Sequence, residues 1–475
     1  MKLIDFSNHQ NRLVRMEDVS DEYINYIHQT TIEDQWYPSF HIAPPHGLLN
    51  DPNGLCQIEG TYHIFYQWFP LGPVHGLKHW RHLTTKDFIH FDDYGCAMYP
   101  DDSYDLHGCY SGMVFKEGKQ CHVYYTGIDQ DDKANVCYGL LKQDKIDKQG
   151  VIVSLDKKIT SDNFRDPCVF KKQDTYWMLV GGESVNGIGI LPVYHGDTFH
   201  TFTYQGNLNL QNHNFGYMLE CPNYFEQDGK GILFFSPQGI KSSNHYDYQN
   251  VFSVTYGIGD PIQNDLNFNA QTYYEMDKGF DFYAPQIFKD ESGRYILFGW
   301  LGNSKCIYPS DKNNWAHMLT IPREIIVDGD RLVQEPLEEL KSLRDEERQI
   351  DTCMSLKQAA FELELEVNDY FKIEILESKE NYISFEMNEK DYILDRSHMT
   401  FMYNEKYGTR RYAKRLIKEN QKIRIFVDHS SIEIFADEGK TVFTSRFYLN
   451  DIKQMKVVNA KGKYWSLKSI EIENC

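Results

Sequence analysis

An all-β fold in two parts is the class predicted by this chain of 475 residues, and three observations carry it. A short aromatic strand recurs through the first 300 residues, a second strand precedes each copy, and the last part continues in period-2 strands without a long helix. Two parts also suit the length, because single cores seldom grow past about 250–300 residues. Aromatic content of 15% points the same way, since aromatic side chains favour a pleated, half-buried surface.

Taken in order, residues 1–35 read as an N-terminal extension. The recurring strand then appears as YHIFYQ (62–67), HVYYTG (122–127), YWMLVG (176–181), ILFFSP (232–237) and YILFGW (295–300). Ahead of each lies a strand that opens in polar or turn residues: NDPNGLCQI, YSGMVF, RDPCVF, ECPNYF and YAPQIF. Polar turn segments such as KEGKQ and EQDGKG separate the members and signal hairpins. Five such sheets predict a five-bladed β-propeller over 36–335, because radial repetition hides sheet edges. In the charged stretch that follows, Leu337, Leu340 and Leu343 stand at helical spacing, so 336–352 reads as a helical linker. Alternating strands over 353–475 predict a β-sandwich. Within it, Asp428-His429-Ser430-Ser431 reads as a tight turn, since triads are recognised by geometry and not by adjacency.

The formal charge of −20 argues against a nucleic-acid partner, which a basic cluster would announce. The first twenty residues hold no apolar core of a signal peptide, and no stretch approaches the roughly 20 apolar residues of a membrane span. A cytoplasmic protein without a membrane partner is therefore expected. Ten scattered cysteines without a C-x-x-C pair predict reduced, packed thiols. None of these features bears on oligomeric state.

In a propeller the first strand of each blade lines the central channel, and its leading residues converge at one end. Asp51, Ser111, Asp166, Glu220 and Tyr283 then become neighbours. A ring of acids can bind a metal or cleave a glycosidic bond. Calcium needs about six to eight oxygen ligands, and NDPNG lacks the later Glu of a calcium loop, so no metal is expected. Glycoside cleavage needs one ionised carboxylate and one protonated acid. Asp51, among Asn50, Asn53 and turn amides, suits the charged form, and Asp166 has the cation of Arg165 beside it. Glu220 follows the apolar run FGYML and suits the protonated form. Gln67, Tyr110, Ser111, Tyr283 and Trp300 fall near the same positions and fit a sugar site.

NDPNG (50–54), FRDP (164–167) and ECP (220–222) resemble, in order, the three signature blocks of glycoside hydrolase family 32. The resemblance runs along nearly the whole chain and implies the propeller and sandwich already read from the repeat. It implies Asp51 as nucleophile, Glu220 as acid/base and Asp166 as stabiliser of the transition state, with no cofactor. It also implies a fructose subsite lined by Asn50, Gln67, Ser111, Arg165 and Trp300, with Leu48, Leu49, Tyr110 and Tyr283 alongside. The stretch 62–91 looks most like the intracellular bacterial members that act on sucrose 6-phosphate. Lys78, Arg81 and His82, in HGLKHWRH (75–82), supply the basic patch that a phosphate would require. The rival readings are an invertase or fructan exohydrolase acting on unphosphorylated sugar, and a carbohydrate-binding propeller without catalysis.

Overall fold

A computed structural model describes residues 3–211, 213–242 and 244–474. Five antiparallel units of four strands follow one another. The first strands of these units are Gly47–Ile58, Gly108–Glu117, Thr160–Lys172, Met218–Gln227 and Tyr283–Lys289. Each touches the next, and the fifth touches the first, so the five close into a ring. This is the five-bladed propeller expected from the repeat. Hairpins join each first strand to the recurring aromatic strand, as between Gly47–Ile58 and Thr61–Phe69. The aromatic strand is then flanked on both sides, so Phe65, Tyr124, Leu179, Phe234 and Leu297 are buried between neighbouring blades. Short pairings reinforce the ring: Trp315–Ala316 adds in parallel to Gly47–Leu48, and Glu471–Asn474 covers the edge strand His90–Met98.

The segment expected to be a helical linker is corrected in kind. Only Glu338–Leu343 is helical, as a 3-10 helix, and Arg344–Gln349 is a strand that pairs with Gln454–Leu467. Leu337, Leu340 and Leu343 lie three apart and are all buried. A strict spacing of three matches the 3-10 repeat, whereas an α-helix would rotate the row around its surface. Beyond this point the long strand Phe361–Leu376 organises the sandwich. Its first half pairs with Gln421–Val427, its second half with Tyr382–Met387, and Gln454–Leu467 runs along its other side.

A buried polar joint connects sandwich and propeller. Asp428 accepts hydrogen bonds from the Ser39 and Phe40 amides and from His41 Nδ1, while Ser430 Oγ donates to the Trp36 carbonyl. The Asp-His-Ser-Ser run is thus a turn that clamps the two domains. At the other end of the chain, the helix Asp21–Ile32 is capped by Ser20 and buries Tyr23 and Ile27 against Leu48, Phe69 and Leu77. Residues before it lie along the propeller and meet it where the Leu77 amide donates to the Arg12 carbonyl at 2.8 Å.

Candidate active site

All five first strands carry a one-residue β-bulge at the same point of their hairpin. The register slips between Leu49 and Pro52, Cys109 and Gly112, Arg165 and Cys168, Glu220 and Asn223, and Tyr283 and Gln286. Bulges re-aim side chains and interrupt the ladder. Blades three to five place a left-handed residue there, Asp166 (φ 65°), Cys221 (φ 47°) and Ala284 (φ 44°), and each is followed by a proline. Proline has no N–H to lose at a position where the ladder is already broken. The three acids therefore occupy three registers: Glu220 is the last paired residue before its bulge, Asp166 the first bulge residue and Asp51 the second. They reach one place by different steps, and the simple equivalence expected from the repeat does not hold.

That place is a cavity of about 360 Å³ whose wall includes Asn50, Asp51, Gln67, Tyr110, Arg165, Asp166, Glu220, Tyr283 and Trp300. Asp51 is held on both oxygens. Oδ1 accepts from Asn50 Nδ2 at 2.9 Å, and Oδ2 accepts from Gln67 Nε2 at 3.3 Å and from the Ser111 hydroxyl. Asp166 Oδ2 accepts from the Cys221 amide at 3.0 Å, and the Asp166 amide donates to Thr126 Oγ1 at 2.8 Å. Glu220 Oε1 accepts two bonds from Arg165, at 2.9 Å from Nε and 2.6 Å from Nη2. Its Oε2 accepts from the Tyr283 hydroxyl at 2.6 Å and from the Gln238 amide.

These contacts revise the expected electrostatics. The apolar run before Glu220 does not wrap its carboxyl, which sits instead among Arg165, Tyr283 and Gln238. Burial is the largest influence on Asp166 and pushes it up to about 7, with Arg165 opposing and the Glu220 and Asp51 carboxyls adding to the rise. Burial also raises Asp51, against the Ser111 and Asn50 bonds that stabilise its anion. Turn amides and a neighbouring cation therefore do not dominate, because desolvation of a closed site outweighs them. Lys78, driven down to about 7 by burial and held up by Asp51, donates from Nζ to Asn50 Oδ1 at 2.5 Å.

Other expected residues lie elsewhere. Leu48 packs under the N-terminal helix and Leu49 in the core beneath blade one; the side chains alternate away from the cavity. Arg81 is tied to Asp93 Oδ2 at 3.0 and 2.7 Å with its guanidinium over Trp68, and His82 stacks on Phe65 at 4.1 Å. Both belong to His79–Thr85, the third strand of blade one, which lies outward from the axis. Only the stretch just before that strand reaches the cavity, through His75, Gly76 and Lys78.

Thr126, Cys221 and Gln238 were not singled out from the sequence. Thr126 carries a readable signal, since it faces the bulge of blade two as Gln67 faces that of blade one. Asp51, Asp166 and Cys221 present ligand atoms within 4.8 Å of one another and are the residues that could hold a cation. Burial and the nearby carboxyls raise the Cys221 thiol, however, so it offers a weak neutral donor and not a thiolate.

The family model described as Glycosyl hydrolases family 32 N-terminal domain matches residues 41–336, and the family's C-terminal model matches 331–474. The chain belongs to glycosyl hydrolase family 32. Among its family-32 relatives, a sucrose-6-phosphate hydrolase of Vibrio alginolyticus is 42% identical, covering 97% of this chain and 96% of the relative. One from Bacillus subtilis strain 168 is 33% identical over 89% of this chain and 91% of its own. The solved sucrose-6-phosphate hydrolase of Lactobacillus gasseri superposes with a TM-score of 0.93 at 29% identity, over 98% of this chain and 99% of that one. The family's three blocks are thus the residues that the five-fold ring gathers around one cavity.

Proposed function

We propose that this family-32 chain is a β-fructofuranosidase that cleaves sucrose 6-phosphate to glucose 6-phosphate and fructose, with retention at the fructosyl anomeric carbon. One observation carries the reading: carboxyls from blades one, three and four share a single cavity wall with Tyr110, Tyr283 and Trp300, surfaces suited to a sugar ring. The phosphorylated substrate is supported by the relatives that bear that activity in their names, at up to 42% identity over nearly full length.

In the first step an Asp51 oxygen attacks the anomeric carbon, the bond to the glucosyl oxygen breaks, and the proton of Glu220 goes to that oxygen. In the second, water gives its proton to Glu220, its oxygen bonds to the anomeric carbon, and the Asp51 carboxylate leaves. Ser111, Gln67 and Asn50 hold Asp51 in place before the attack, which is how a positioned nucleophile lowers the barrier. Asp166 takes up sugar hydroxyls beside the developing positive charge. Arg165 must exchange its Glu220 contact for substrate before the acid can deliver its proton.

A cytoplasmic setting fits the nine cysteines among the described residues, all free and six of them buried, since thiols stay reduced there. Among the described residues no helix is long and apolar enough to cross a membrane. The test is paired turnover of sucrose 6-phosphate and sucrose by the wild type. A kcat/KM ratio well above one is expected, and a ratio near one would overturn the phosphorylated substrate.

A further inference from the structure

If phosphate is part of the substrate, the cavity needs a cation that is not already committed. Lys78 is bound to Asn50 beside the nucleophile, Arg165 is paired with Glu220, and His107 Nδ1 is 2.7 Å from Asp132. Arg81 and His82 face away. One side of the cavity mouth is different. There the N-terminal segment brings Arg12 to the wall, which His75 and Ser304 also line. Arg12 Nε donates to the Phe6 carbonyl at 3.1 Å, and its remaining guanidinium nitrogens make no hydrogen bond or ion pair among the described residues. Lys305, exposed beside Ser304, likewise makes no ion pair among them.

His75 adds a third unmet group. Its Nδ1 lies 3.1 Å from Lys78 Nζ, and an ammonium can only donate, so the ring proton belongs on Nε2. That Nε2 is buried without any partner. The positive charges of Lys78, Arg12 and Lys305, after burial itself, keep the ring neutral. A cavity wall that holds an uncommitted guanidinium, a hydroxyl and an orphan N–H, with the ammonium of Lys305 close enough to act on His75, describes in an otherwise acidic protein a receptor for a compact anion.

We infer that Arg12, with His75 and Lys305 beside it, takes the phosphate monoester carried by the sugar at the mouth of the cavity. This rests on the proposed substrate and assigns the residues that select it. The guanidinium offers the planar pair of donors that a phosphate accepts, and the fructosyl unit lies deeper, against Asp51. The N-terminal segment then acts as the specificity element of the site, although no sequence block marks it.

The experiment measures kcat/KM for sucrose 6-phosphate and for sucrose in wild type, Arg12→Gln, Arg12→Lys and Lys305→Gln. The wild-type ratio is read first, and a value near one sinks the substrate reading itself. Given a wild-type preference, Arg12→Gln should lower the ratio at least tenfold, as expected for loss of a charge-assisted pair. Arg12→Lys also loses the Phe6 bond but keeps the cation, and should recover at least a third of the lost preference. An equal fall in both Arg12 variants would assign the effect to anchorage of the segment and overturn the inference. Lys305→Gln removes an exposed charge with no packing role and should lower the ratio about threefold. Unchanged ratios in Arg12→Gln and Lys305→Gln overturn the subsite while leaving the substrate intact.

Discussion

The Arg165 guanidinium lies against Glu220 and not against its sequence neighbour Asp166, with Nε and Nη2 at 2.9 and 2.6 Å from Oε1. The bulge explains this. Arg165 is the last paired residue before its bulge and Asp166 the first bulge residue, so their side chains leave in different directions. A cation at hydrogen-bond range of the acid orients it and offers substrate a positive partner. Arg165→Gln should therefore lower kcat/KM by about 10²-fold, the effect of losing two charge-assisted bonds. Steady-state kinetics of a variant whose melting temperature matches wild type checks this, and a loss of less than threefold would remove Arg165 from the mechanism.

The pH profile follows from burial. With Asp166 near 7 in the free enzyme, its carboxyl is protonated at lower pH, and kcat/KM, which reports the free enzyme, should fall as pH drops through about 7. The Asp51 carboxyl adds to the rise of Asp166, so the limb belongs to that pair. Lys78→Gln removes a cation that favours the Asp51 anion and should move the limb to higher pH by about one unit. A wild-type limb near the ordinary carboxylate value of about 4, unmoved in the variant, would contradict the account.

Thr126 positions Asp166 through the backbone. Its hydroxyl accepts from the Asp166 amide at 2.8 Å, and that amide belongs to a left-handed residue outside the ladder. Thr126→Val leaves a buried N–H without a partner, costing about 1–3 kcal/mol. Activity should fall about tenfold or more, with a melting temperature lower by a few degrees. Unchanged activity at full stability would show that the carboxyl does not depend on this bond.

The joint between the domains should respond to alkaline pH. Burial opposes a charged His41, but its bonds to Asp428 and Glu433 outweigh that and raise it to about 9 from 6.5. A raised histidine contributes stability that is complete below about 6.5 and lost as pH rises through about 9. The linkage is on the order of 3 kcal/mol, or several degrees of melting temperature in a chain this long. Thermal melts of wild type should fall between pH 6.5 and 9.5, and those of His41→Gln should be flatter over that window. Parallel curves would refute a protonated His41.

The propeller was legible because its aromatic strands repeat, and each copy must satisfy the same packing between neighbouring blades. The acids were legible as a set because each stands near a strand start. Their partners were not. A one-residue bulge turns Arg165 away from Asp166 and sets Glu220, Asp166 and Asp51 in three registers, and local sequence does not print a register. Arg81 and His82 looked basic and close, yet a strand one step outward buries both in blade one. Arg12 lies in a segment with no motif, and only the chain's path across the propeller brings it to the cavity. The leucines of the linker show a period of three, which is the 3-10 spacing, so the sequence itself carries that distinction.

The most direct test concerns Asp51. Glu220→Gln, given a fructoside with an activated leaving group, forms the covalent intermediate but lacks the base that hydrolyses it. Acid quench during turnover, digestion and peptide mass spectrometry should find one fructosyl adduct on the peptide containing Asp51. An adduct on any other residue, or a first-released fructose of inverted configuration, would contradict the assignment.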